Sequence, residues 1–140
     1  MQNSKKLLID ADAFIALNDG NDPSHKQALV LSKVISFEEY QLMTSDPALG
    51  EAITVISQNT NLKQAVSFAE GILVTNIEII EPDSSLRRQA LDIFKKQNSK
   101  NSRFTDCVNM AIMREKGLDT IFSFDEHYKK NGFKRFGIDE

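Results

Sequence analysis

The fold is decided by residues 7–17, LLIDADAFIAL, two apolar segments separated by the carboxylates of Asp10 and Asp12. Segment 7–9 is too short and too uniformly apolar for an exposed helix, so it predicts a buried strand of a parallel sheet that ends at Asp10. Residues 12–17 predict a short helix, and we interpret Asp12 as its N-cap. Asp10 calls for another explanation, because a carboxylate that ends an apolar strand needs a cation, hydrogen-bond donors or water. The carboxyl ends of strands are also where open α/β sheets place their sites.

The length of 140 residues and the apolar content of 41% predict one domain, residues 1–140, with a single core. No window is long and apolar enough to cross a bilayer, and residues 1–6 lead into a strand too short for a secretory signal. We therefore expect a cytoplasmic protein. The lone Cys107 has no internal disulfide partner and is expected to be a small core residue.

Charge is distributed unevenly along the chain. Residues 1–85 carry 5 Lys/Arg against 12 Asp/Glu, whereas residues 86–140 carry 12 against 8. The acidic part is suited to a divalent cation and the basic part, which includes Lys100 and Arg103, to a phosphate backbone. For any single lysine or arginine, a solvated helix surface is the alternative interpretation.

Short apolar segments alternate with amphipathic ones along the rest of the chain. Further strands are predicted at 40–44, 77–80, 118–122 and, at an edge, 133–136, and helices at 25–35, 47–56, 61–73, 84–94, 103–116 and 126–131. Helix 61–73 is expected to bury Leu62, Ala65, Val66 and Ala69. This alternation predicts an α/β fold with a mainly parallel sheet.

Three further acids occupy distinctive positions. Glu51 is the only charged residue on the apolar helix 47–56, and the adjacent Gly50 predicts that another group approaches the backbone there. An exposed glutamate on the helix rim is the alternative. Asp106 lies in the first turn of its helix, where the dipole favours negative charge, and Asp125 follows strand 118–122 as Asp10 follows the first strand. Asp125 also has a structural alternative, as the cap of helix 126–131.

Considered as a set, the four acids predict a metal site. Asp10 and Asp125 end strands at the same edge of one sheet, and helices that begin at that edge carry Glu51 and Asp106. Carboxylates gathered in one cleft repel each other unless divalent cations neutralise them. Hard cations such as Mg²⁺ or Mn²⁺ prefer oxygen ligands and retain coordinated waters.

The sequence resembles PIN-domain ribonucleases, and in particular the single-domain toxins of VapBC-type toxin-antitoxin pairs. The resemblance covers nearly the whole chain and depends on these segments: Leu8-Ile9-Asp10, Phe14-Ile15-Ala16-Leu17, Thr44-Ser45 before the helix of Glu51, Phe104-Thr105-Asp106, and Ser123-Phe124-Asp125. It implies a three-layer α/β/α fold with four to five mainly parallel strands.

The resemblance also implies a function. Asp10, Glu51, Asp106 and Asp125 would hold one or two Mg²⁺ or Mn²⁺ ions, with Thr105 and Ser123 as hydroxyl neighbours of the site. The metal would activate water for attack on an RNA phosphodiester, leaving a 3′-hydroxyl and a 5′-phosphate. The expected partners are an RNA substrate, a second copy of the chain and an antitoxin that inserts a segment into the active-site groove. The predicted helices 25–35 and 61–73 offer apolar surface for a dimer, although such surface is also typical of an ordinary core.

Two alternatives remain at the level of sequence. An apolar strand followed by Asp-x-Asp also resembles haloacid-dehalogenase-type phosphatases, in which Asp10 would be a nucleophile and Asp12 a general acid. Phe14 stands where that family usually has Thr or Val. The other alternative is an RNA-binding module that keeps the PIN fold without turnover, against which the retention of all four acids argues.

Overall fold

The computed structural model of the chain describes residues 5–139. Residues 1–4, part of the segment considered above as a secretory signal, and residue 140 of the predicted domain 1–140 lie outside the described residues. The described strands are β1 (Lys6–Ile9), β2 (Gln41–Ser45), β3 (Glu78–Ile80), β4 (Thr120–Phe122) and β5 (Lys134–Arg135). The described helices are α1 (Ala11–Asn18), α2 (His25–Phe37), α3 (Asp46–Asn59), α4 (Leu62–Leu73), α5 (Ser84–Lys95), α6 (Phe104–Lys116) and α7 (Glu126–Lys130).

The strands form one sheet in the order β3-β2-β1-β4-β5, and every neighbouring pair is parallel. The prediction of a parallel sheet with four to five strands is therefore confirmed. From β1 the chain proceeds outward to β2 and β3, and it later returns to place β4 and β5 on the other side. The order therefore reverses between β1 and β4, and in open α/β sheets this switch point opens a crevice at the carboxyl ends of the strands.

Side chains of β1 alternate between two cores. Leu7 and Ile9 pack in the core beneath α1–α4, whereas Leu8 packs in the core shared with α5–α7. All three side chains are buried, which explains why β1 is continuously apolar rather than alternating. The result is the predicted three-layer α/β/α arrangement.

Helix ends follow the local signals in the sequence. Ser45 caps α3 by accepting a hydrogen bond from Ala48 N at 3.2 Å, and Pro47 lies in the first turn. Asp83 caps α5 in the same way through Leu86 N, at 2.9 Å. Gly117 ends α6 with a φ of 69°, a left-handed conformation that glycine adopts without steric cost.

The predicted inner face of α4 is wrong in part. Leu62 and Val66 are 71% and 46% exposed, whereas α4 buries Ala65, as predicted, together with Ile72. Because α4 packs mainly on α3 at the outside of its layer, only a narrow part of its apolar surface is covered. Among the described residues, no helix combines the length and apolarity needed to cross a membrane. Cys107 is buried, as predicted, and burial raises the pKa of its thiol to about 11.

Candidate active site

The candidate site lies at the switch point between β1 and β4. Asp10 directly follows β1, and its backbone N–H donates to Phe122 O of β4 at 3.1 Å. The hydrogen bonding between β1 and β4 therefore continues one residue beyond β1. Ser123 and Asp125 follow β4 in the same direction. Both predicted strand-end acids are therefore at one edge of the sheet, because parallel strands end on the same side.

Asp10 is 4% exposed and lies at the centre of the site. Its Oδ1 accepts hydrogen bonds from Ala11 N at 2.7 Å, which caps α1, and from Asn109 Nδ2 at 3.0 Å. Its Oδ2 accepts from the hydroxyls of Tyr128 and Ser123 at 3.0 and 3.1 Å. The carboxylate therefore has neutral donors on both oxygens and, among the residues described, no hydrogen bond from a basic side chain.

The N-cap role predicted for Asp12 is wrong, because Asp10 caps α1 instead. Asp12 lies within the first turn and turns toward the end of β4, where its Oδ2 accepts a hydrogen bond from Phe124 N at 2.8 Å and lies 3.1 Å from the Ser123 hydroxyl oxygen. Its other oxygen is buried without a hydrogen-bond partner in the described part of the chain. Asp12 is thus a further acid of the site, which sequence reasoning assigned to local structure.

Asp106 enters from the first turn of α6 and is 5% exposed. Its Oδ1 lies 3.3 Å from the Tyr128 hydroxyl, while Oδ2 is buried and has no hydrogen-bond partner among residues 5–139. Asp125 caps α7 through His127 N at 2.9 Å, as its structural alternative proposed. One ligand atom each of Asp106, Asp125 and His127 lie within 4.8 Å of one another, so Asp125 caps a helix and joins the acidic cluster as well.

Glu51 stands apart from this tight group. Its Oε2 forms an ion pair of 3.2 Å with Arg103 Nη1, at the start of α6. The pKa of Asp10 is raised mainly by burial, and the charge of Glu51 adds to this shift, so Glu51 is assigned to the rim of the same cleft. The close approach predicted at Gly50 is wrong within the described chain, since a Cβ built there would have nothing within 4 Å.

A buried polar network, missed by sequence reasoning, supports Asp10. The Asn109 side-chain amide donates to Asp10 and lies 3.0 Å from the Tyr128 hydroxyl, while its Oδ1 accepts a hydrogen bond of 2.6 Å from Ser45 Oγ. Asn109 and Tyr128 are 0% exposed. Their sequence signal is their spacing, since each follows an acid of the site, Asp106 or Asp125, by three residues on a helix.

The remaining predicted site residues have different surroundings. Ser123 is fully buried and contacts both Asp10 and Asp12. Thr105 is half-buried beside Asp106, and Lys100 is exposed in the connection between α5 and α6. Arg103 is paired with Glu51, as described above.

Burial and mutual repulsion dominate the electrostatics. Burial raises the pKa of Asp10 to about 6, although hydrogen bonds from Ala11, Tyr128 and Ser123 oppose the shift. Burial and then the charge of Asp10 raise the pKa values of Asp12 and Asp106 to about 8. Each of these carboxylates is costly to ionise because its charge is unpaired in a dry environment.

The carboxylate oxygens of the cluster are suited to bind a divalent cation. Clustered carboxylate oxygens are the ligands that Mg²⁺ and Mn²⁺ prefer. The unpartnered Oδ2 of Asp106 and Oδ1 of Asp12 are buried acceptors for which residues 5–139 provide no donor. A cation would satisfy such acceptors and offset both the burial cost and the repulsion that raise the three pKa values.

Comparison with known proteins agrees with this geometry. The model of the PIN domain family matches residues 7–134. The 23S rRNA-specific endonuclease VapC20 of Mycobacterium tuberculosis, found in strains CDC 1551 and H37Rv, is 25% identical over 127 residues, covering 91% of this chain and 95% of the relative. The crystal structure of M. tuberculosis VapC20, described as a sarcin-ricin loop cleaving toxin, superposes with a TM-score of 0.79 at 25% identity, covering 91% and 95% of the two chains.

Proposed function

This chain belongs to the PIN-domain family, and from that membership we propose that it is a divalent-metal-dependent endoribonuclease, the toxin of a type II toxin-antitoxin pair. The observation that carries the proposal is the convergence of acids from distant segments at one switch point, the buried Asp10 and Asp106 and the partly buried Asp125. We propose residues 1–140 as a single PIN domain that acts in the cytoplasm.

Asp10, Glu51, Asp106 and Asp125 are proposed to hold the Mg²⁺ or Mn²⁺. When bound, such a cation lowers the pKa of a coordinated water and stabilises negative charge on the attacking and leaving oxygens of a phosphodiester. Support comes from the unpartnered oxygen of Asp106 and from the raised pKa of Asp10 and Asp106, which mark sites where positive charge is missing. Glu51, which is paired with Arg103, is proposed to join this group from the rim.

The residues around the acids hold them in place. Tyr128 spans Asp10 and Asp106, with its hydroxyl 3.0 Å from one carboxylate and 3.3 Å from the other. Its pKa is raised well above the ordinary value by burial and by these two charges, so the hydroxyl stays a donor. Asn109 and Ser123 donate to Asp10 from two further directions. This arrangement orients the acids before substrate arrives, which is how an enzyme avoids reorganisation during the reaction.

RNA is the proposed substrate. Lys100, exposed between α5 and α6, and Arg103, paired with Glu51, are proposed to contact its phosphates, with the hydroxyls of Thr105 and Ser123 beside the reacting group. Release of Arg103 from Glu51 would free a guanidinium for a phosphate at the moment the carboxylate turns to the cation. Because the similar VapC20 is a 23S rRNA-specific endonuclease, ribosomal RNA is the first substrate to test.

We further propose two protein partners, a second copy of the chain and a cognate antitoxin. Large apolar side chains are exposed on α2 and α4 and just beyond them, including Val30 at 61%, Phe37 at 89%, Leu73 at 71% and Val74 at 85%. Exposed apolar surface of this kind is typical of protein interfaces. It supports a homodimer through these helices.

The test is RNA cleavage by the purified protein with Mg²⁺, with Mn²⁺ and with chelator. We expect cleavage of ribosomal RNA only with metal, and a loss of at least a hundredfold in Asp10→Asn and Asp106→Asn, on the order seen when a group stabilising transition-state charge is removed. Asp92→Asn, an exposed acid of α5, is the matched control and should cleave like wild type.

Other outcomes separate the alternatives. RNA binding that is equal in all variants, with no cleavage, would indicate a non-catalytic PIN module. Membership of the PIN-domain family decides against the haloacid-dehalogenase interpretation. Consistent with that, Asp12, its proposed general acid, is hydrogen-bonded to Phe124 N and Ser123.

A further inference from the structure

A polar pocket of about 350 Å³ adjoins the acidic cluster, between the end of α5, the connection 96–103 and α7. Its volume falls within the range of small-molecule sites. Its walls are formed by Lys96, Asn98, Ser99, Ser102, His127 and Lys130. None of the residues that line it is acidic, and none is Phe, Tyr or Trp.

The floor of this pocket is a reciprocal pair of amides. Gln97 Nε2 donates to Asn131 Oδ1 at 3.0 Å, and Asn131 Nδ2 donates to Gln97 Oε1 at 3.1 Å. The same two nitrogens also donate to Ile93 O and His127 O, at 3.0 and 2.7 Å. This pair therefore links the end of α5 to α7 and makes the floor rigid. Both amides hydrogen-bond within the protein and are not available to recognise an RNA base.

The walls carry positive charge and a free hydroxyl. Lys96 and Lys130 are exposed, and neither forms an ion pair with any residue in the described range 5–139. The hydroxyl oxygen of Ser102 is buried and has no hydrogen-bond partner among those residues. Two lysines and an unpartnered hydroxyl, without a competing carboxylate, are suited to a phosphate group.

The lining also argues against recognition of a base. Single-stranded bases are typically bound by stacking on aromatic rings or by hydrogen bonds to their edges. The one ring among the lining residues is the imidazole of His127, which lies against Asp125, and few of the amides are uncommitted. The pocket is therefore suited to the sugar-phosphate backbone of RNA, and contacts to that backbone carry no sequence preference.

His127 joins the pocket to the acidic cluster. It lines the pocket, and its Nδ1 lies 2.8 Å from Asp125 Oδ1, although the two atoms are not aligned as a hydrogen bond. We propose that this pocket is a backbone subsite, in which Lys96, Lys130 and Ser102 bind a phosphate of the RNA strand next to the one that is cleaved. This subsite rests on the ribonuclease function proposed above. It gives the path that the RNA strand takes beyond the acidic cluster.

The test measures binding of a fluorescent single-stranded RNA by the full chain over a series of NaCl concentrations. Asp106→Asn, which prevents turnover, serves as the background for all variants. Lys96→Gln/Lys130→Gln should weaken binding about tenfold at low salt, and the slope of log K against log salt should fall by about 0.7 for each phosphate that is no longer neutralised. Ser102→Ala should weaken binding less and leave the slope unchanged, because it removes no charge.

The matched control is Lys26→Gln/Lys33→Gln, which removes the same charge from exposed positions of α2, on the opposite face of the sheet. It should leave affinity and slope close to those of the background protein. Equal weakening by the two double variants, or no effect of either, would overturn the subsite while leaving the ribonuclease proposal intact. Failure of the wild-type chain to cut RNA with metal would instead overturn the proposed function itself.

Discussion

At the scale of single residues, the site depends on neutral donors that hold buried acids apart. Tyr128 is the clearest case, because its hydroxyl oxygen lies between two carboxylates, 3.0 Å from Asp10 Oδ2 and 3.3 Å from Asp106 Oδ1. Asn109 supplies a second donor to Asp10 and contacts the same hydroxyl. The spacing of the two acids is thus set by side chains that carry no charge.

Tyr128→Phe removes only this hydroxyl. We expect Mn²⁺ affinity to fall about tenfold, because residues that orient metal ligands typically affect affinity by this amount or more. The stability of the metal-free protein should change by only about 1 kcal/mol, the usual contribution of one hydrogen bond. Titration calorimetry with Mn²⁺ and thermal unfolding in chelator measure the two quantities separately.

Tyr40→Phe is the control, since it removes a hydroxyl from the chain's other tyrosine, which precedes β2 at the amino ends of the strands. It should leave Mn²⁺ affinity as in wild type. Equal Mn²⁺ affinity in Tyr128→Phe and wild type would contradict the positioning role.

At the scale of elements, three of the four proposed metal ligands lie where a strand ends or a helix begins, and the fourth, Glu51, lies inside α3. Asp10 and Asp125 end strands and cap the helices that follow, and Asp106 lies in the first turn of α6. Two glycines of the carrying helices differ sharply in conformation. Gly117 ends α6 in the left-handed region, whereas Gly50 lies inside α3, where a Cβ would meet nothing within 4 Å.

The same substitution at these two glycines should therefore have opposite effects. Gly117→Ala should destabilise the protein by about 1 kcal/mol, the cost of a left-handed conformation for alanine. Gly50→Ala should stabilise it by about 0.5–1 kcal/mol, since alanine is the better helix former. Chemical denaturation of both variants with wild type tests this pair, and a change of the same sign in both would refute it.

At the scale of the whole molecule, the parallel order β3-β2-β1-β4-β5 gathers negative charge at one point. The unfolded chain would ionise Asp10, Asp12 and Asp106 near the ordinary value of 3.8, whereas in the fold their pKa values rise to about 6, 8 and 8. Folding without metal is therefore opposed by these carboxylates at neutral pH.

The cost of ionising these three carboxylates in the folded state predicts how stability depends on pH. Between the unfolded and folded pKa values the folded state binds more protons, so the free energy of unfolding falls as pH rises from about 4 to 8. We expect the metal-free protein to have a lower melting temperature at pH 8 than at pH 5. The pKa of Asp139 is lowered to about 2, so the titration of this carboxyl changes the free energy of unfolding only below about pH 4.

Mn²⁺ should reverse the trend, because it binds the deprotonated acids and stabilises the fold more at pH 8 than at pH 5. Asp12→Asn should raise the melting temperature of the metal-free protein at pH 8 and change it less at pH 5. Calorimetry in chelator across this range is the measurement. A melting temperature of the wild type that rises steadily from pH 5 to pH 8 would contradict the shifts.

The sequence alone determined the strands, the helices and the positions where acids follow strands. Apolar runs and helical periodicity are local, and in a parallel sheet all carboxyl ends share an edge, so the position of Asp10 and Asp125 at one edge of the sheet was predictable. Capping by Ser45 and Asp83 and the end of α6 at Gly117 are equally local signals.

Only the tertiary structure decided the partners of each side chain. Asp12 has the sequence context of a cap, but its carboxylate bonds to Phe124 N, 112 residues away, because β4 lies beside β1. Asn109 reaches Asp10 across 99 residues, and Arg103 reaches Glu51 across 52. Such contacts depend on how helices pack over the sheet. Local sequence patterns do not specify which distant residues come together.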